Sequence, residues 1–245
     1  MKIKLENPLV LTRAVDILSE LVTEVRLKFS EFGLSVTAMD PANISMVNFR
    51  IPRSSFSQFE AEKEVLGINL ENLKQILRRC SSGSSLIMES TENILKISIQ
   101  DRIKRNFTLS LIEIEREDID FEEKSSRMDF TSEIDMNSVD LINSIDDCAI
   151  VADACVFKIK ENKFIIEAKS LNSAMSEFSG DEAKIKAEDC KSKYSLEYLQ
   201  KFMKGAKLCD RSILKFAEDH PLRIDFKNQE VSLSFILAPR VETED

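Results

Sequence analysis

The chain has 245 residues, with 34 Lys and Arg against 43 Asp and Glu, a net charge of −9 and a pI near 5.0. With 43% hydrophobic and 31% charged residues it can bury a core beneath a solvated surface, in one large domain or in two of roughly 120 residues. The acidic balance argues against a protein that coats nucleic acid with its whole surface, although a local basic face remains open.

Other classes are excluded by what is missing. No run of about 18 apolar residues occurs, so no membrane span is expected. The opening Met1-Lys2-Ile3-Lys4-Leu5-Glu6 alternates polar and apolar like a strand, unlike a secretion signal, so a soluble intracellular protein is expected. Cys80, Cys148, Cys155, Cys190 and Cys209 are scattered and odd in number, which reads as free core thiols in a reducing compartment. His220 is the single histidine and precedes Pro221, a loop position. Histidine-based triads and HExxH zinc sites are therefore absent, and neither a GxxxxGK[ST] nor a GxGxxG phosphate cradle is written. No catalytic residue, metal ligand or cofactor is expected, and an enzyme is the less favoured class.

In chain order, Lys2–Leu5 reads as a short strand. Leu11, Ala14, Val15, Leu18, Leu21, Val22 and Val25 then recur at helical spacing. Arg26–Phe29 turns through Glu31-Phe32-Gly33 into Leu34–Met39 as a hairpin. A second helix turns Leu70, Leu73, Leu77 and Cys80 inward and stops at Ser81-Ser82-Gly83-Ser84. Residues 113–127 (Glu-Ile-Glu-Arg-Glu-Asp-Ile-Asp-Phe-Glu-Glu-Lys-Ser-Ser-Arg) read as an acidic surface connector between residues 1–112 and 128–245. Within it Ile119 and Phe121 alternate as apolar residues. They either pin the connector to its own domain or form the edge of a docking site. Beyond it, Asp129–Ile134 reads as a strand and Ser138–Asp147 as a helix.

The two halves resemble each other at an offset near 126 residues. Leu70-Glu71-Asn72-Leu73-Lys74-Gln75-Ile76-Leu77-Arg78 parallels Leu196-Glu197-Tyr198-Leu199-Gln200-Lys201-Phe202-Met203-Lys204. Leu95–Ile99 parallels Leu222–Phe226, and Val15–Leu18 parallels Val139–Ile142. Three matches in the same order indicate a duplicated unit of antiparallel sheets with two helices, an α+β class.

Bases are distributed unevenly over the four helices. The first offers Arg13 beside Asp16 and Glu20, and the second offers Lys74, Arg78 and Arg79. The third is acidic, with Asp140, Asp146 and Asp147, while the last offers Lys201, Lys204 and Lys207 with Arg211 just beyond. Two equivalent helices thus carry basic faces, which are either solvated surface or sequence-independent contacts to phosphate.

At this point the chain resembles the proliferating cell nuclear antigen (PCNA) family of DNA sliding clamps. Ala38-Met39-Asp40-Pro41-Ala42-Asn43-Ile44-Ser45-Met46-Val47 is similar to that family's S-M-D-x-x-x-V-S-L-V segment. Gly67-Ile68-Asn69-Leu70 with Ile76-Leu77, Asp219-His220-Pro221-Leu222, and the ending Leu237-Ala238-Pro239-Arg240-Val241-Glu242 are similar to further family segments. The length and tail-free ending look archaeal.

The resemblance implies two similar domains per subunit and three subunits closing a pseudo-sixfold ring, with helices lining the hole. It implies a processivity factor for DNA polymerase, placed on duplex DNA by a clamp loader. It would serve partners such as a flap nuclease and DNA ligase, at chromosomal DNA in the cytoplasm if archaeal and in the nucleus if eukaryotic. Carried over by position, Arg13, Lys74, Arg78, Lys201 and Lys204 would face DNA, and Arg79 and Lys207 on the same two basic helices are expected beside them. Met39, Asn43, Ile44, Ile119, Phe121, Pro221 and Ile236, with Leu237, Ala238 and Pro239, would receive partner peptides. Asn43 stands where the family has histidine and Glu122 where many members have proline. The subunit joint would pair an edge strand at Lys104–Leu111, with Phe107 and Leu109, to one at Ser173–Ser179, with Met175 and Phe178. Phe107 could equally be an ordinary core aromatic.

A homotrimer is expected, with a heterotrimer left open by the acidic third helix. The competing readings are a clamp-like subunit of a checkpoint or repair ring, an enzyme with a carboxylate metal site, and an acidic scaffold with no DNA role.

Overall fold

The computed structural model describes residues 1–115 and 118–241; Arg116 and Glu117 of the expected connector and Glu242 of the terminal motif lie outside them. The chain forms two compact units. The first gathers Met1–Pro41, Val47–Ile119 and Gln229–Ser232, and the second gathers Ala42–Met46, Asp120–Asn228 and the residues from 233 onward.

The first unit runs β1 (Lys2–Leu5), α1 (Leu9–Leu18), β2 (Glu24–Ser30), β3 (Gly33–Met39), β4 (Ser45–Pro52), β5 (Gln58–Glu60) and β6 (Glu64–Asn69). It continues with α2 (Leu70–Leu77), β7 (Ser85–Thr91), β8 (Ile94–Gln100) and β9 (Lys104–Ser110). Its strands take the orders β5-β1-β7-β8-β9 and β4-β3-β2-β6. The registers place Phe59, Ile3, Met88, Ile97 and Phe107 in one apolar row across five strands. This is the period-two alternation expected of a sheet with one buried face. Leu95, Ile97 and Ile99 are fully buried. Leu11, Ala14, Val15 and Leu18 of α1, with Leu70, Leu73 and Leu77 of α2, add the helical side of that core.

The second unit opens with a short helix, α3 (Phe121–Ser126), and then repeats the first. It runs β10 (Ser132–Asn137), α4 (Ser138–Val151), β11 (Ala154–Lys160), β12 (Lys163–Lys169), β13 (Ser173–Phe178), β14 (Ala183–Ala187) and β15 (Cys190–Ser195). There follow α5 (Leu196–Ala206), β16 (Arg211–Phe216), β17 (Leu222–Lys227) and β18 (Ser232–Leu237). Its strand orders are β14-β10-β16-β17-β18 and β13-β12-β11-β15, strand for strand those of the first unit. Ile185, Ile134, Leu214 and Ile224 form the equivalent row. The three sequence parallels therefore fall on equivalent elements: α1 with α4, α2 with α5, and β8 with β17.

Helix starts follow the local chemistry. Asn69, Asp120 and Asn137 cap α2, α3 and α4 by accepting hydrogen bonds from the N–H groups of Asn72, Glu123 and Val139 at 3.1, 2.9 and 2.8 Å. Two glycines permit close approach. A Cβ at Gly67 on β6 would lie 2.1 Å from the Ile112 carbonyl oxygen, and the Ile112 N–H donates to the Gly67 carbonyl at 2.9 Å. A Cβ at Gly205 on α5 would lie 2.7 Å from Leu233 and 3.2 Å from Phe226.

Several boundaries differ from the sequence reading. The first helix ends at Leu18, so Leu21 and Val22 are buried in the following turn and Val25 is the first inward residue of β2. The same spacing serves a helix, a turn and a strand because each turns those residues inward. Cys80 lies past α2 and is half-buried. The strand expected at 129–134 is β10, at 132–137. The connector is not bare linker: α3 occupies 121–126. In the first unit, Arg26 donates to the Ile114 carbonyl and Lys28 holds Asp118 at 2.5 Å. Among the described residues no helix is long and apolar enough to cross a membrane.

Gly205→Ala is expected to lower unfolding free energy by about 1–3 kcal/mol. Denaturant titration checks this, and an unchanged midpoint would mean that α5 has room above the sheet.

Candidate functional site

In the first unit α1 and α2 pack together, and their polar sides meet along a line of charges. Arg78 reaches back to α1, placing Nε and Nη2 each 3.2 Å from Asp16 Oδ1. Lys74 donates to Ser19 Oγ at 2.8 Å, with Asp16 at 4.0 Å and Glu71 at 3.8 Å. Its side chain is only 13% exposed, whereas that of Arg78 is 58% exposed. Lys74 thus lies down between the helices rather than standing on the open face assigned to it. Arg13 and Arg79 are exposed and make no ion pair among the described residues.

In the second unit α5 carries Lys201, whose ammonium sits 2.7 Å from Glu197 and 5.1 Å from the Tyr198 ring centroid. Lys204 and Lys207 are exposed. Arg211, on β16, is turned to Asp135 at 2.8 Å. On α4, Asp140, Asn143, Asp146 and Asp147 are all exposed, so the acidic face read from sequence is a surface feature.

Of the expected peptide-binding residues, those in the second unit divide into exposed and buried groups. Asn43 is exposed at a φ of 57°, and Ile44 is 40% exposed. The Ile44 carbonyl accepts the Ala238 N–H at 2.9 Å, which brings the Asn43–Ile44 turn against the Ala238-Pro239 segment. Pro221, Ala238 and Pro239 are half-buried, while Ile236 and Leu237 belong to the core. Phe121 is not an open wall. It is 2% exposed, and the Arg223 guanidinium lies 5.3 Å over its ring.

Arg223 also donates to Ser125 Oγ at 2.7 Å and pairs with Asp225 at 2.8 Å and Glu122 at 3.4 Å, locking α3 onto β17. Glu122, the residue that replaces the family proline, is therefore part of the lock. Met39 and Ile119 are half-buried residues of the first unit.

A groove of about 350 Å³ adjoins Pro239, lined also by Val156, Lys191, Ser192, Lys193, Asp219, Arg240 and Val241. Sequence reasoning missed it, although Lys191 and Lys193 alternate along β15, an edge strand. The Arg240 N–H donates to the Lys193 carbonyl at 2.7 Å and ties the tail to that edge. Tyr194 and Ser192 both donate to the His220 carbonyl, at 2.7 and 3.1 Å, fixing the loop before Pro221.

Phe107 is half-buried on β9, the last strand of its sheet, and Met175 is 65% exposed on β13, likewise an outer strand. Leu109 and Phe178 point into their own cores, Phe178 stacking on Phe164 with centroids 6.0 Å apart. Those two positions can offer a neighbour only backbone.

The five cysteine thiols are held toward the neutral form. Burial raises all five above the ordinary value, Cys148 and Cys209 to about 11.

The two-unit arrangement of antiparallel sheets, each with two equivalent helices and the second with short α3 besides, is the architecture of a DNA-clamp fold. Over 98% of this chain and 99% of the other, it superposes on the PCNA structure from Thermococcus kodakaraensis with a TM-score of 0.89 at 20% identity. It also superposes on a chain of the PCNA2–PCNA3 complex from Sulfolobus tokodaii, with a TM-score of 0.87 at 25% identity over 99% and 100%. "Proliferating cell nuclear antigen, N-terminal domain" matches residues 1–124, and "Proliferating cell nuclear antigen, C-terminal domain" matches residues 124–241. The DNA polymerase sliding clamp 1 of Thermococcus kodakarensis is 34% identical over 91% of this chain and 92% of that protein. The sliding clamp of Pyrococcus furiosus is 32% identical over 93% of each. The chain belongs to the proliferating cell nuclear antigen family of sliding clamps, in its archaeal-like form.

Replacing Arg223 with Gln should release α3 and leave half-buried Asp225 without its cation, holding only the Ser234 hydroxyl, at a cost of about 2–3 kcal/mol. Hydrogen exchange should then quicken over residues 121–126 before it does elsewhere. Uniform protection would show that Phe121 alone holds the helix.

Proposed function

We propose that three copies of this chain close edge to edge into a ring around duplex DNA and tether DNA polymerase to it. The chain does no chemistry of its own. A closed ring cannot leave the duplex sideways, so its contacts to phosphate need only be weak, salt-sensitive and blind to sequence. Arg13, Lys74, Arg78, Arg79, Lys201, Lys204 and Lys207 are the cations assigned to those contacts. The exposed Ile44, the Ala238-Pro239 tail and the adjoining groove are assigned to peptides of the polymerase, clamp loader, flap nuclease and ligase. Their aromatic side chains would fill the apolar part. The protein would work wherever the chromosome lies, which is the cytoplasm of an archaeal cell.

The observation that carries the homotrimer is the charge on the two outer strands. Residues 102–110, with β9, hold three bases, of which Arg105 is paired with Asp101 and Arg102 and Lys104 stand exposed, whereas residues 173–182, with β13, hold three acids, of which Glu177 is paired with Lys163 at 2.6 Å. The excess charge on each edge is opposite to that on the other, which supports closure by copies of this chain. Pairing them also satisfies two strand edges that would otherwise invite aggregation.

Light scattering of the purified chain across a dilution series should give a mass near three times 27.9 kDa. The double substitution Arg102→Glu and Lys104→Glu should yield monomers, and adding Glu177→Lys with Glu182→Lys should restore the larger mass. A wild-type monomer would overturn the self-closing ring.

Substituting Gln at Lys74, Arg78, Lys201 and Lys204 should weaken threading onto linear duplex and flatten the salt dependence by roughly 1 unit of log–log slope for each phosphate no longer neutralised. Unchanged binding and unchanged polymerase stimulation would show that these helices do not face DNA.

A further inference from the structure

We infer that Asp16 is a built-in competitor for the DNA backbone, holding Lys74 and Arg78 so that phosphate must displace it before either can grip. This rests on the reading of the α1–α2 pair as a DNA face. The geometry is specific. Arg78 turns its Nε and Nη2 to Asp16 Oδ1, both at 3.2 Å, and that edge of a guanidinium is the one that takes a carboxylate or a phosphate bidentately. Lys74 sits 4.0 Å from the same oxygen and donates to Ser19 Oγ at 2.8 Å. Ser19 in turn donates to the Asp16 carbonyl at 2.8 Å, so the ammonium is folded onto the turn that Asp16 begins. With its side chain 13% exposed, Lys74 must leave this seat to meet a phosphate.

Asp16 is itself half-exposed, its side chain at 39%, so it is not a buried structural ion whose removal would leave a cation stranded. The nearby charges in sequence and space are Arg13 on its own helix, Glu20 just past that helix, Glu71 and Lys74 on α2, and Arg78 at the α2 C-cap. In the second unit, Glu197 and Lys201 make a 2.7 Å pair within α5, so a carboxylate stands against a basic-face cation there too.

The consequence is a limited grip. A phosphate approaching Arg78 gains one ion pair and breaks another, so the net attraction is smaller than the number of bases implies. The duplex can therefore pass along the helices without being held at any register. Removing the competitor should free both cations. Asp16→Asn keeps the shape and removes the charge.

The test is fluorescence anisotropy of a short, blunt, labelled linear duplex titrated with the assembled protein between about 50 and 200 mM salt. Asp16→Asn should tighten binding about tenfold at the lower salt and steepen the log–log salt dependence by about 1–3 units, for one to three additional phosphates neutralised per ring. In a background carrying Lys74→Gln and Arg78→Gln the same change should have no effect. A purely structural role for Asp16 would not produce that dependence. Thermal midpoint and light-scattering mass serve as folding controls, with Asp16→Ser as a second variant should Asn disturb α1.

If Asp16→Asn leaves binding unchanged while the Lys74 and Arg78 substitutions weaken it, the competitor is overturned and the DNA face stands. If none of these changes alters binding, the DNA face fails with it. Equal tightening with and without Lys74 and Arg78 would make Asp16 a distant repulsive charge, and the pairing proposal would fall.

Discussion

An amphipathic helix has one apolar face, and each unit buries the apolar faces of its two long helices within the core its antiparallel sheets enclose. Everything charged on those helices is thereby committed to the opposite side. Leu70, Leu73 and Leu77 are fully buried, which leaves Glu71 and Lys74 of α2, and Arg78 at its C-cap, on the polar side. Leu196, Leu199, Phe202 and Met203 do the same for α5. The burial of a few leucines and aromatics, each contributing about 1.5–3 kcal/mol, thus decides which side of each helix its bases occupy.

Duplication multiplies that constraint without fixing the charge. The two units share their element order and strand pairing, yet α1 carries Arg13 where α4 carries a row of aspartates. The fold is held by inward residues, which vary within a hydrophobic class. Outward residues are free to diverge because they cost the core nothing.

This division also explains what can be read from the sequence. Alternating strands such as Leu95–Ile99 and Leu222–Phe226 are plain because period two has a single meaning on a half-buried sheet. The β2–β3 hairpin is equally legible. The end of α1 is not, since Leu21, Val22 and Val25 keep a helical spacing while lying in a turn and a strand. The helix at 121–126 is hidden by its acidity. What folds it is the Asp120 cap and the hold of Arg223 on Phe121 and Ser125. Arg223 lies about a hundred positions along the chain, beyond the reach of local pattern. The basic helices emerge from their charges alone, but charge could not show Lys74 lying flat against Ser19. A sequence states how many cations a helix has and says nothing of which carboxylate each one meets.

The five cysteines carry a consequence for handling the protein. Folded, Cys148, Cys155, Cys190 and Cys209 are buried and Cys80 half-buried, and burial disfavours at each the thiolate that oxidants and other thiols attack. Unfolded, all five return to an ordinary acidity of about 8.5 and become partners for one another and for other chains. The native state therefore shields the chain from cross-linking. Once that state is lost in air, scrambled disulfides bar the way back, so a thermal melt without reductant measures a rate of escape instead of an equilibrium.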